Sequence, residues 1–123
     1  MKLNRILLKT NTLFSQQFSE WALAHHIRVE DFQEKSEEPD NGIDGLVIFN
    51  ENQEIDRDIA EIKTLFDRKL KPVHNIDING TLMVGLSNLE LWIERNRCKH
   101  VLFIASDSVL SNPNWERYMK NLK

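Results

Sequence analysis

A chain of 123 residues, 41% hydrophobic and 28% charged, has the size and mix of one folded domain that needs no disulfide or metal to hold its core. Its net charge is −3, with Lys and Arg interleaved among acids, so it lacks the clustered cations that nucleic acid or an anionic membrane surface requires. The single cysteine, Cys98, excludes an internal disulfide and fits a reducing, cytoplasmic setting. No stretch nears the ~20 apolar residues of a membrane helix, and the apolar run at 6–8 is too short for a signal-peptide core.

In chain order, "LNRILLK" (3–9) is an apolar run between polar flanks and predicts a buried strand. "TNT" (10–12) supplies helix-capping residues. Phe14, Phe18, Trp21, Ala22 and His25 then recur at helical steps on one side. "HIRVEDF" alternates Ile27, Val29 and Asp31 against Arg28, Glu30 and Phe32, the period of a second strand. "QEKSEEPDNGIDG" is charged, holds Pro39 and Gly42, and predicts a flexible loop over about 33–43 inside one domain spanning 1–123.

"GLVIFN" is a continuous apolar run, as expected of a strand covered on both faces. After it Ile55, Ile59, Ile62 and Phe66 step by four, three and four, which predicts an amphipathic helix. Glu54, Asp56 and Asp58 then fall in its first turn, where carboxylates complement the positive end of the helix dipole, and Lys69 and Lys71 sit at the other end. Arg57 with Glu61, and Lys63 with Asp67, are ion pairs at helical spacing. The acidic crowd around 51–61 is thereby explained as helix-end chemistry.

"KPVHNIDI" predicts a strand opening at Pro72. Asn79-Gly80 is a strong hairpin signal, but the hairpin it implies would sort polar and apolar residues badly across its faces. Leu82, Leu86, Leu89 and Ile93 repeat the four-three-four rhythm, so a helix from near Thr81 is favoured, with a start at Ser87 as the alternative. "HVLFIA" is a last buried strand, and Asn112 with Pro113 caps a helix carrying Trp115, Met119 and Leu122 inward.

This alternation implies an α/β fold: one three-layer, flavodoxin-like or TIR-like domain of about five mostly parallel strands, with helices on both faces. In such a fold ligands sit beyond the carboxyl ends of the strands. Those ends carry Thr10, Asn11, Thr12, Asp31, Asn50, Glu51, Asn52, Asp77, Asn79, Ser106, Asp107 and Ser108. All are residue types that also make turns and caps. No GxGxxG and no GxxxxGK[ST] occurs, so neither phosphate-binding fingerprint is present. Thr10 to Thr12 could offer hydroxyls and helix N–H groups to a phosphate, as in a nucleotide or FMN site, but without the glycine that lets backbone close in. His25 and His26 point apart on a helix, and Cys98 with His100 lacks further ligands, so no metal and no cofactor is expected. Trp21, Trp92 and Trp115 lie in helical stripes and read as packing residues.

"RILLKTNTLFSQQFSEWALAHHIRVEDF" and "DGLVIFN…IAEIKTLFDRKLKPVHNIDINGTL" resemble the opening and centre of TIR-like domains. The apolar strand, Glu-bearing helix and "KPV" phrase are also similar to nucleoside deoxyribosyltransferase-like domains. The resemblance implies a glutamate acting at the glycosidic bond of a nucleoside or NAD, a role that would fall to Glu61. The helical stripe puts Glu61 on the solvent side beside Arg57, whereas an acid or nucleophile needs a partly desolvated pocket. The first expectation is therefore a non-catalytic module for a protein partner or self-association, contacting through the 33–45 loop and the strand ends around Asn50 to Asn52 and Ser106 to Ser108. The alternatives are a glycosidic-bond-cleaving enzyme using Glu61, and a nucleotide or FMN binder.

Overall fold

The computed structural model describes residues 2–32 and 42–122. Most of the loop expected at 33–43 thus lies outside the described residues; Gly42 and Ile43 are within them, and Ile43 is buried.

The chain forms β1 (Arg5–Lys9), α1 (Leu13–Ala24), β2 (Arg28–Phe32), β3 (Gly45–Asn50), α2 (Arg57–Arg68), β4 (Val73–Asp77), α3 (Leu82–Arg95), β5 (His100–Ala105), a 3₁₀ turn at Asp107–Ser111, and α4 (Pro113–Asn121). All strand pairs are parallel, and the order across the sheet is β2-β1-β5-β3-β4. The layers are those of a flavodoxin-like domain. The last strand, however, is wedged between β1 and β3, which are adjacent in the flavodoxin order 2-1-3-4-5.

Crossover handedness decides which helix covers which face. The steps β1→β2 and β4→β5 move the same way across the sheet, and β3→β4 moves the other way. Right-handed connections must then put α1 and α3 on one face and α2 on the opposite one. The two cores agree. Phe14, Phe18 and Trp21 of α1, Leu89 and Ile93 of α3, and Trp115 and Tyr118 of α4 pack on Ile6, Leu8, Val47, Phe49, Val101 and Phe103. On the other face α2 is the one helix among the described residues, with Ile59, Ile62 and Phe66 on Leu7, Leu46, Ile48, Leu102 and Ile104. Leu7, Leu102 and Leu46 share one register across the three central strands, so the floor beneath α2 is continuous.

The thicker face is aromatic. Phe18 stacks on Phe103 at 4.8 Å between ring centroids, and Phe49 meets Trp115 edge-on at 5.1 Å. Such pairs add about 0.5–1.5 kcal/mol each beyond their burial.

Several local readings are settled. Thr12 caps α1 and Asn112 caps α4. After β4 the chain makes a turn, with Gly80 N–H donating to the Asp77 carbonyl at 3.0 Å, and enters α3 with Thr81 at its cap; neither a hairpin nor a start at Ser87 is formed. The helix wins because its apolar residues find the sheet, while Gly85 lets the Tyr118 hydroxyl come so close that a Cβ there would lie 2.5 Å from it. Two expectations change. α2 begins at Arg57 with Asp56 as its cap, so Glu54 lies before the helix, in a tight loop bridged to Glu51. His25 is not inward-facing; it caps the end of α1, exposed, with its ring 4.5 Å from that of Trp21.

Half-buried His74, on edge strand β4, stacks on Trp92 at 5.4 Å, and burial lowers its pKa. The unfolded chain therefore takes up the proton first as pH falls. The neutral ring's contribution is fully present above the ordinary value of about 6.5 and is lost as pH drops through the lowered folded value. Urea unfolding at about pH 7.5 and about pH 5.5 should show a smaller acid-side loss of stability for His74→Gln than for the native chain. An unchanged loss would exclude His74 as a contributor.

Candidate functional site

Because every strand runs the same way and every helix returns, one pole of the molecule collects all strand carboxyl ends and all helix N-termini. β1 sends its crossover toward β2 and β3 sends its own toward β4, with β5 between them. The cleft opened by that divergence is where ligands of open α/β sheets sit.

The strand-end residues do meet there, and they bind one another. Asp77 Oδ1 accepts the backbone N–H groups of Asn52 and Asn79, both at 2.9 Å. The Asn79 amide donates to Asn52 Oδ1 at 3.1 Å, and its oxygen accepts from the amides of Asn112 at 2.8 Å and Asn114 at 2.9 Å. Glu51 is held at both oxygens, by Ser108 Oγ at 3.0 Å and Asn112 Nδ2 at 2.9 Å. Asn50 is 2% exposed, and its side-chain oxygen accepts the Gln53 N–H at 2.9 Å. Asn52 and Gln53 sit at φ 56° and 67°, the left-handed region that asparagine tolerates better than most residues. The loop after β3 is thus fastened to β4 and α4 by polar contacts.

Nearer β1 the same economy recurs at two helix N-termini. Asp107 Oδ1 accepts the Phe14 N–H at 3.1 Å, and Thr12 Oγ1 accepts the Ser15 N–H at 3.0 Å, both in the first turn of α1. Asp56 accepts the Ile59 N–H at 3.1 Å and the Ser106 hydroxyl at 2.7 Å. Between them lies a cleft of about 180 Å³ whose walls include Lys9, Asp58 and Ser106. The N–H groups of Phe14, Ser15 and Ile59, which an external phosphate could use, are taken by the protein's own side chains, two of them carboxylates. Replacing Asp107 by Ala removes that anion from the start of α1 and should lower stability by about 1 kcal/mol in urea titration. A change below about 0.3 kcal/mol would show that Thr12 caps the helix unaided.

A neighbouring depression of about 260 Å³ is lined by Glu51, Glu54, Ile55, Asp56 and Val109. Thr10 and Asn11 stand apart on a shallow one of about 340 Å³ beside Asp31; Asn11, at φ 62°, makes the turn into α1. Glu61 lines none of these: its side chain is 65% exposed and pairs with Arg57 at 3.4 Å.

At the opposite pole a hollow of about 460 Å³ has Ile93 and Cys98 in its wall and a rim of mixed charge from Lys2, Glu90, Glu94, Arg97 and Lys99. Burial first, and then the charge of Asp44, push the Cys98 thiol up to about 11, so it stays protonated at neutral pH. Burial, followed by Asp77, likewise raises the Tyr118 phenol. Among the described residues no three His, Cys, Asp or Glu side chains converge to hold a metal ion, and no helix is long and apolar enough to cross a membrane.

No protein-family profile and no curated relative matches the sequence. The fold does have a likeness. A crystal structure from Syntrophus aciditrophicus SB, described as a "putative molybdenum carrier protein", superposes with a TM-score of 0.72, over 96% of this chain and 90% of that one, at 11% identity. At that identity the likeness shows a shared fold and carries no activity across.

The sequence placed Asn50, Asn52, Asp77, Asn79, Ser106, Asp107 and Ser108 at this pole, and the structure brings them together. It did not single out Asp56, Asn112 and Asn114 as members. The signal for Asn112 and Asn114 was the "NPN" start of α4, which reads only as a cap until α4 is known to stand beside the β3 and β4 ends.

Proposed function

We propose that this chain is a non-catalytic interaction module that meets a protein partner through its acidic strand-end rim. The observation that carries this reading is the hydrogen-bonded rim itself. Glu51, Asp77, Asn52, Asn79 and Asn112 fix one another and so form a prebuilt surface, while Glu54, Asp56 and Asp58 stay exposed around it. The clefts there, about 180 and 260 Å³, are smaller than the roughly 300–1,000 Å³ of cofactor and drug-sized sites. Their charged lining residues are Glu51, Glu54, Asp56, Asp58 and Asp107 against the cation Lys9, which favours a partner surface bearing Lys or Arg over a phosphate or other oxyanion. Glu61, needed by the enzymatic alternative, has the solvent exposure of a surface ion pair.

Thermal melting with NAD, nucleosides, nucleotides, FMN and molybdate tests this; molybdate enters because of the name carried by the similar structure. The midpoint is expected to stay fixed across the panel. A ligand binding only the native state at 100 times its Kd would add about 2.7 kcal/mol, so a clear rise with any of them would replace the interaction reading with ligand binding. Glu61→Gln should leave stability within about 0.5 kcal/mol of the native chain.

A further inference from the structure

The most exposed large hydrophobic residue of the described chain is Leu70, at 92%. It follows the α2 C-cap Lys69 and sits at φ 56°, in the position where helices usually place Gly or Asn. Arg68 and Lys71 flank it. At the other end of the same helix lies the depression walled by Ile55 and Val109 and rimmed by Glu51, Glu54 and Asp56. A leucine flanked by cations at one pole and an apolar-walled, acid-rimmed cleft at the other are complementary in both polarity and charge.

We infer that copies of this chain join head to tail, with Leu70 and its flanking cations on one copy seated in the Ile55–Val109 cleft of the next. This rests on the proposed function and names its partner as a second copy. The cleft, at about 260 Å³, suits one aliphatic side chain better than a cofactor. Other exposed large hydrophobics also sit at the two poles: Leu13, Met83 and Val84 lie at the strand-end pole and Leu23 with Leu70 at the opposite one, leaving Leu91 on the flank of α3. On α2 the signs follow the helix dipole, with Asp56 and Asp58 at its start and Arg68 at its end, and that separation makes the two ends of this helix mutually attractive. A contact between different patches is heterologous, so it propagates as an open chain or closes as a ring and does not stop at a two-fold dimer. The junction is small, below the roughly 1,200 Å² of stable interfaces, so association belongs to high concentration and low salt.

Sedimentation velocity and light scattering of the untagged chain test it, from about 10 μM to about 1 mM, in about 20 mM and about 0.5 M salt. The native chain should rise above its monomer mass of 14.5 kDa with concentration at low salt and return to it at high salt. Leu70→Asn keeps the left-handed backbone comfortable and should stay folded but monomeric. Glu54→Lys changes an exposed side chain and should also be monomeric. Mixed together, the two variants hold one intact tail and one intact head, so they should form a 1:1 pair and nothing larger. A native chain that stays monomeric at low salt overturns the inference while leaving the rim open to another partner; only a ligand shift in the melting panel removes the rim reading itself. Variants that associate as the native chain does, or a mixture that stays monomeric while the native chain associates, also overturn it.

Discussion

Phe49→Ala should cost about 3–5 kcal/mol, a large share of the roughly 5–15 kcal/mol that holds a domain together. Phe49 is 1% exposed in the strand where the thicker core is deepest. Its ring has Trp115 at 5.1 Å, Phe14 and Phe18 at 6.1 Å, Phe103 at 6.2 Å and Tyr118 at 6.5 Å. Five rings contributed by α1, β5 and α4 cannot all collapse into one hole, so the cavity persists and its cost approaches the upper end of the range. Urea titration should show an unchanged slope with a lower midpoint, and thermal melting a drop of roughly 10 °C or more. A loss below about 1.5 kcal/mol would mean that α4 can settle inward and refill the space.

Gly45→Ala should destabilise by about 1–3 kcal/mol through a single contact. A Cβ on Gly45 would lie 2.7 Å from Trp92 Cη2, 3.1 Å from Cζ2 and 3.2 Å from the Pro72 carbonyl. The glycine opens β3 where the indole of α3 crosses over it toward His74. Trp92→Phe removes the two ring atoms in conflict. In a double-variant cycle, Gly45→Ala should therefore cost at least about 1 kcal/mol less when Trp92→Phe is already in place. Equal costs with and without Trp92→Phe would place the strain at the Pro72 carbonyl.

The elements were legible because each obeys one dominant local pattern. The spacing of Ile59, Ile62 and Phe66 is satisfied by one helix over one sheet face, with Ile55 packing against the same core from just before that helix, and "GLVIFN" can only be a strand covered twice. The strand order was not legible. An all-apolar strand announces that it is buried but not who its neighbour is, and β5 enters between β1 and β3 by a return step that no residue of β5 encodes. Nor was it legible that α2 takes the face opposite the other described helices, since that follows from crossover direction and leaves no mark on the helix.

The strand-end pole was found because position in the fold points to it. Its pairings were missed for a physical reason: Asn79 meets Asn112 and Asn114 only after two connections have carried α4 back beside β4. Local chemistry assigned Asn112 the capping role it does play, through the Asn114 N–H at 2.9 Å, while its amide group was free to do more. Leu70 carries no signal in the sequence that separates it from a core leucine; its left-handed backbone and its exposure appear only in the structure.

The strict up-and-down winding has a practical consequence for anyone handling the chain. With the five described strands rising and the four described helices returning, the first and last described residues emerge at the same end: Lys2 beside Arg97 and Lys99, and Leu122 beneath Trp21, whose indole N–H donates to its carbonyl at 3.2 Å. An affinity tag or fused domain at either terminus would therefore stand at the pole that carries Leu70 and leave the Glu54 end clear. Labels meant to report from that clear end belong at an internal site such as Gln53, at the tip of its loop.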